Sequence, residues 1–149
     1  MIEKIEINSI VEGLIEQVGS NDVYDIIDHL GIRLIRDNYK QNPLLKSCEG
    51  LYIRNMYNHE VIIVKDDLDN ERQIIAHELG HALLHTEYDS LVHNRFALPG
   101  RNEYEANYFA VRLLYDNINI KQFKNYTKKQ IAMELKIDEG WIEFLGNKA

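Results

Sequence analysis

Residues 77–81 read His77-Glu78-Leu79-Gly80-His81. On a helix, positions i and i+4 lie one turn apart on the same face, so two imidazoles at this spacing can converge on one metal ion. Glu78 stands about 100° round from His77, at the edge of that face. There it can reach a water held by the metal without being a ligand itself. That is the physical basis of the His-Glu-x-x-His spacing in zinc hydrolases. Gly80 leaves room for a neighbouring segment to approach closely, at a cost of about 1 kcal/mol in helix propensity.

Hydrolysis at zinc usually takes three protein ligands and an open position. Downstream, Asn102-Glu103-Tyr104-Glu105-Ala106-Asn107 places Glu103 and Asn107 one helical turn apart. Glu103 is the expected third ligand. Asn107 is placed to orient a ligand histidine by a hydrogen bond to its ring. Glu105 points about 200° away from Glu103 and is the weaker choice. Two histidines one turn apart could also sit on a merely solvated helix face. Against that stand the helix start signals, an apolar reverse face (Ile75, Leu79, Ala82, Leu83), Gly80 and the Glu-x-x-x-Asn helix.

The other candidates are weaker. His85 lies about 40° off the His81 direction and well over one turn from His77, which suggests packing or a cleft wall. His93, in the loop between the two helices, could help stabilise an oxyanion, and Tyr104 and Tyr108 are similar candidates. His29 and His59 read as structural or solvent-facing. Cys48 reads as a buried or part-buried thiol. Lys121, Lys124, Lys128, Lys129 and Lys136 form a locally basic stretch, read as a solvated face, with docking of an acidic partner as the alternative.

These residues need elements to position them. Ser9-Ile10-Val11-Glu12 suggests a capping box and a first helix over about 9–18, followed by a second over about 21–30 that Gly31 ends. Strands are expected at 32–36, 50–54 and 60–64, the last two as a hairpin. A helix capped by Asp69 runs to about His85. A loop follows at 94–100, then a helix over 102–115. Thr127 starts a short helix through Leu135, and Asp138 caps a final turn carrying Trp141, Phe144 and Leu145. The expected fold is α+β: a small, mostly antiparallel sheet packed against the His77 helix and a second ligand-bearing helix.

The chain of 149 residues is expected to form one domain, 1–149, with 45% apolar and 28% charged residues. A net charge of −7 argues against general nucleic-acid binding. One cysteine rules out an intrachain disulfide and suits a reducing cytoplasm. No apolar run is long enough to span a bilayer, and the N-terminus does not read as a signal peptide.

His77-Glu78-Leu79-Gly80-His81-Ala82-Leu83-Leu84-His85, together with Glu103-Tyr104-Glu105-Ala106-Asn107-Tyr108-Phe109-Ala110, resembles the ImmA/IrrE-type metallopeptidases. These are a zincin-like family of bacteria, phages and mobile elements. The likeness in segment order covers most of residues 10 to 115. It implies Zn2+ held by His77, His81 and Glu103, Glu78 as the catalytic acid–base residue, and a protein substrate. It also implies that the substrate is a helix-turn-helix transcriptional repressor. Such proteins often carry Met-Pro after the second helix, where this chain has Tyr115-Asp116-Asn117. The expected function is zinc-dependent endopeptidase. The alternative is a non-catalytic repressor-binding or regulatory module that retains the metal site.

Overall fold

The structure is a computed structural model and describes residues 2–86 and 99–146. Helix α1 spans Lys4–Val18 and α2 spans Val23–Leu30. Three strands follow: β1 (Arg33–Asp37), β2 (Gly50–Met56) and β3 (His59–Lys65). The remaining α-helices are α3 (Glu71–Leu84), α4 (Pro99–Tyr115) and α5 (Lys128–Leu135), and 3-10 helices cover Pro43–Lys46, Ile120–Phe123 and Glu139–Phe144. This is the expected α+β class. Among the described residues no helix is long and apolar enough to cross a membrane.

The sheet is mixed rather than mostly antiparallel. Its order is β1-β3-β2, with β1 parallel and β2 antiparallel to β3. Residues 38–49 carry the chain past the first strand, so the hairpin returns β3 into the gap between β1 and β2. Tyr57 and Asn58 turn that hairpin with positive φ angles of 52° and 67°, as a two-residue turn matched to strand twist requires. Val61, Ile62, Ile63 and Val64 are all buried, the continuous apolar run of a strand covered on both faces. Ile62, Val64 and Tyr52 join the main core with Ile75, Ala76 and Leu79 of α3. Val61 and Ile63 pack on the other face with Leu45 and Leu51.

Several boundaries move. Helix α1 begins at Lys4, not Ser9: the Glu6 carboxylate reaches back to the backbone N–H of Glu3 at 3.2 Å. Starting there lets Ile7 join Val11 and Leu14 in the core, while the Ser9 hydroxyl bonds the Ile5 carbonyl within the helix. Asn70, not Asp69, precedes the first turn of α3. Pro99 and Gly100 belong to the start of α4 rather than to a loop, where a missing proline N–H costs the helix nothing. Asp22, Thr127 and Asp138 cap α2, α5 and the last 3-10 helix.

Candidate metal centre

Two helices meet at a glycine. A Cβ added to Gly80 would stand 2.9 Å from the Ala106 Cα and 3.1 Å from its carbonyl oxygen. The backbone of α4 thus lies directly against α3, where only a residue without a side chain allows it. The crossing brings Glu103, one turn before Ala106 on α4, to His77 and His81.

The convergence is tight. His81 Nε2 lies 3.1 Å from His77 Nε2 and 3.0 Å from Glu103 Oε1, and His77 Nε2 lies 3.1 Å from Glu103 Oε2. A tetrahedral zinc ion with bonds of about 2.1 Å keeps its ligands about 3.4 Å apart. The three groups therefore stand nearly as close as an ion requires, with each histidine facing a different oxygen of the Glu103 carboxylate, and two imidazoles and a carboxylate are a zinc-compatible donor set. Burial pushes the Glu103 carboxyl up, but hydrogen bonding to His77 and His81 outweighs this and holds it well below the usual carboxylate range. Burial holds His81 below its ordinary value, which favours the neutral imidazole that a metal ligand must be.

The surroundings orient the rings. Asn107 Oδ1 lies 2.7 Å from His77 Nδ1, the bracing contact expected of it. Trp141 lies nearly parallel to the His77 ring, at 17° and 6.3 Å between centroids. His85 is not a cleft wall. It is 3% exposed and stands behind His81, with Nδ1 to Nδ1 at 3.0 Å. Glu105, set aside for pointing away from Glu103, is 2% exposed and bonds His85 at 2.9 Å.

Glu78 is buried on the side of α3 that faces β2. A Cβ on Gly50, the first residue of β2, would meet Ile74 Cγ2 at 2.5 Å and Glu78 Oε1 at 3.5 Å. Glu78, His77, Glu103 and Asn107 line a cleft of about 830 Å³, together with Cys48, Trp141, Lys136 and others. His81 forms part of the triangle from beneath, fully buried.

Of the remaining candidates among the described residues, Cys48 and Lys136 border the cleft and the others lie away from it. Tyr108 is buried and donates to Asn8 Oδ1, while Tyr104 packs edge-on against Phe144. His29, His59 and the five lysines of residues 121–136 are exposed. Cys48 is half-buried, with Sγ 3.2 Å from the Leu44 carbonyl oxygen. His93 falls outside the described residues.

Residues 27–139 match the IrrE N-terminal-like domain of the M78 peptidases, and the chain belongs to this metallopeptidase family. Over 129 residues it is 28% identical to metallopeptidase ImmA of Bacillus subtilis (strain 168), covering 82% of this chain and 73% of that protein. It is 29% identical over 132 residues to the uncharacterized immunity region protein 2 of Bacillus phage phi105, covering 85% and 80%.

Proposed function

We propose that the protein is a zinc-dependent endopeptidase in which His77, His81 and Glu103 hold the ion and Glu78 is the catalytic acid–base residue. The observation that carries this is the triangle of two imidazole nitrogens and a carboxylate with sides of 3.0–3.1 Å, with Glu78 beside it in the same cleft. When bound, the ion supplies Lewis acidity, activating water and polarising a carbonyl. The Glu78 carboxylate accepts a proton from the attacking water and delivers it to the amide nitrogen as the C–N bond breaks. Asn107 holds the His77 ring. Burial around His81 and Glu78 excludes bulk water from the floor of the cleft.

The proposed substrate is a helix-turn-helix repressor, which the family resemblance implies. A relative named for a phage immunity region is in keeping with that choice. The proposed setting is cytoplasmic, supported by a single cysteine.

The test compares two variants. Glu78→Gln keeps size and shape but removes the base, so zinc content and fold should persist while turnover falls about 10²–10⁴-fold. His77→Ala should lose metal and activity together. The assay is mass spectrometry of a repressor encoded beside the gene after incubation with the zinc-loaded protein. Wild-type turnover by Glu78→Gln would refute the assignment of the base. Tight binding of the repressor by the zinc-loaded wild type without any cleavage would favour the binding-module reading.

A further inference from the structure

Residues 135–144 form a strap that borders the cleft, and the proposed reaction does not use it. The strap runs from the last residue of α5 to the end of the final 3-10 helix. Its Ile137 and Trp141 line the same cleft as His77, Glu78 and Glu103, and Met133 of α5 stands beside them. Trp141 lies nearly parallel to the His77 ring. Met133 is 71% exposed, an apolar side chain left facing solvent at the edge of the cleft.

The strap is held at both ends by its carbonyl oxygens. At its start, the Leu135 carbonyl accepts from Gln73 Nε2 at 3.1 Å and from the Tyr115 hydroxyl at 3.2 Å. Gln73 Nε2 also donates to the Tyr115 hydroxyl at 2.8 Å, which closes a three-membered ring of hydrogen bonds. At its end, the Phe144 carbonyl accepts from the buried Arg112. Gln73 sits on α3 one turn before His77, and Arg112 and Tyr115 sit on α4 beyond Asn107. The two helices that carry the metal-ligand candidates therefore also hold the strap. Satisfying a leftover carbonyl at the end of α5 is a structural task, and water could do it. Two side chains from two other helices do more, because they fix the point from which Ile137 and Trp141 enter the cleft. We propose that Gln73 and Tyr115 are positioning residues that fix the strap as the substrate-facing wall of the cleft. Met133 and Trp141 give that wall an apolar surface for a bulky apolar side chain of the substrate. The occupant rests on the peptidase reading above; the hold on the strap does not.

Trp141 is the chain's one tryptophan, so its fluorescence reports on the strap directly. Gln73→Leu and Tyr115→Phe each leave one bond on the Leu135 carbonyl, and together they leave none. In the double variant, below its melting transition, Trp141 emission should shift to the red and acrylamide should quench it more strongly. A loosened strap must be ordered again when substrate binds, so the loss falls on KM. With the repressor encoded beside the gene as substrate, KM should rise about fivefold, the equivalent of one ordinary hydrogen bond, while kcat stays within about twofold. Tyr115→Phe, which loses a single oxygen, gives both readouts in the same direction if the double variant does not fold. Met133→Glu tests the apolar surface at an exposed position of α5: Tm should hold while KM rises about tenfold. A double variant that melts earlier but keeps the wild-type quenching and KM would reduce the ring of bonds to a helix cap and overturn the proposal. An unchanged KM in Met133→Glu would overturn the apolar wall. If the repressor is bound but not cut, its dissociation constant takes the place of KM in both comparisons. A wild type that neither cuts nor binds it would defeat the functional reading, while the quenching comparison would still decide whether Gln73 and Tyr115 hold the strap.

Discussion

Replacing Gly80 by alanine puts a methyl group where α4 already stands. Its carbon would lie 2.9 Å from the Ala106 Cα, 3.1 Å from the carbonyl oxygen and 3.3 Å from the Ala106 Cβ. Carbon atoms settle at about 3.5–4.0 Å, so the two helices must part locally by about 0.6–1.1 Å. Two effects on stability oppose each other. Overpacking costs about 1–3 kcal/mol, while alanine regains about 1 kcal/mol of helix propensity. The net loss is about 0–2 kcal/mol, a fall in Tm of at most several degrees for a chain of this size. The effect on the site is larger. His81 follows Gly80 directly and Glu103 sits one turn before Ala106, so the parting opens the 3.0 Å contact between them. A metal site tolerates about 0.5 Å. Zinc affinity should therefore fall about tenfold or more, at least about 1.4 kcal/mol, while the metal-free fold loses little. Thermal unfolding of the metal-free variant and chelator competition measure the two separately. A Gly80→Ala protein that binds zinc as tightly as the wild type would refute the claim that this helix contact sets the triangle.

Other expectations follow from the same structure. Asn107→Ala removes the contact to His77 Nδ1 and should weaken zinc binding about 10–100-fold in a competition assay; an unchanged constant would make Asn107 a bystander. Gly50→Ala presses on Ile74 and Glu78, so it should lower turnover while the zinc dissociation constant stays near the wild-type value, which isothermal titration and peptide cleavage would separate. Glu71 is held below its ordinary carboxyl value chiefly by hydrogen bonds from Arg36. Its folded pKa is thus the lower one, and its stabilisation is complete above about pH 4.5 and lost as pH falls through the folded value. Chemical denaturation of wild type and Glu71→Gln should show the stability gap closing across that acid window, and a gap independent of pH would contradict the assignment.

The triangle was legible because it depends on spacing within single helices. His77 and His81 share one face of α3, and Glu103 and Asn107 share one face of α4, so each pair could be placed before any tertiary contact was known. Gly80 marked a place where a neighbouring segment could approach closely, without showing which one. What spacing could not supply is what stands opposite a face. Glu105 does point away from Glu103, but that side of α4 holds His85 and the Ile2 amide rather than solvent. His85 does drift off the metal axis, and the drift is what puts it behind His81. Trp141 lies sixty-four residues from His77, whose ring it parallels, and no periodicity connects them. The parallel β1–β3 pairing was hidden for a related reason. Hairpin signals show which strands are consecutive, whereas the place of an earlier strand depends on the route of the connection, here residues 38–49. One signal was available: four consecutive buried β-branched residues in β3 mark a central strand.

Helix α3 is gripped from two sides at glycines, and the two contacts divide the site between them. At Gly80 the backbone of α4 comes in beside His81, bringing Glu103. At Gly50 the start of β2 comes in beside Glu78. The ligand triangle therefore depends on helix packing, while the acid–base residue depends on the approach of helix to sheet. Both groups project from one rigid element, so their relative placement is set by the α-helix itself, with Glu78 about 100° round from His77. Movement at either contact shifts one partner and leaves the other in place. That separation is why metal affinity and turnover should respond differently to Gly80→Ala and Gly50→Ala, though both substitutions add the same methyl group at a contact of α3.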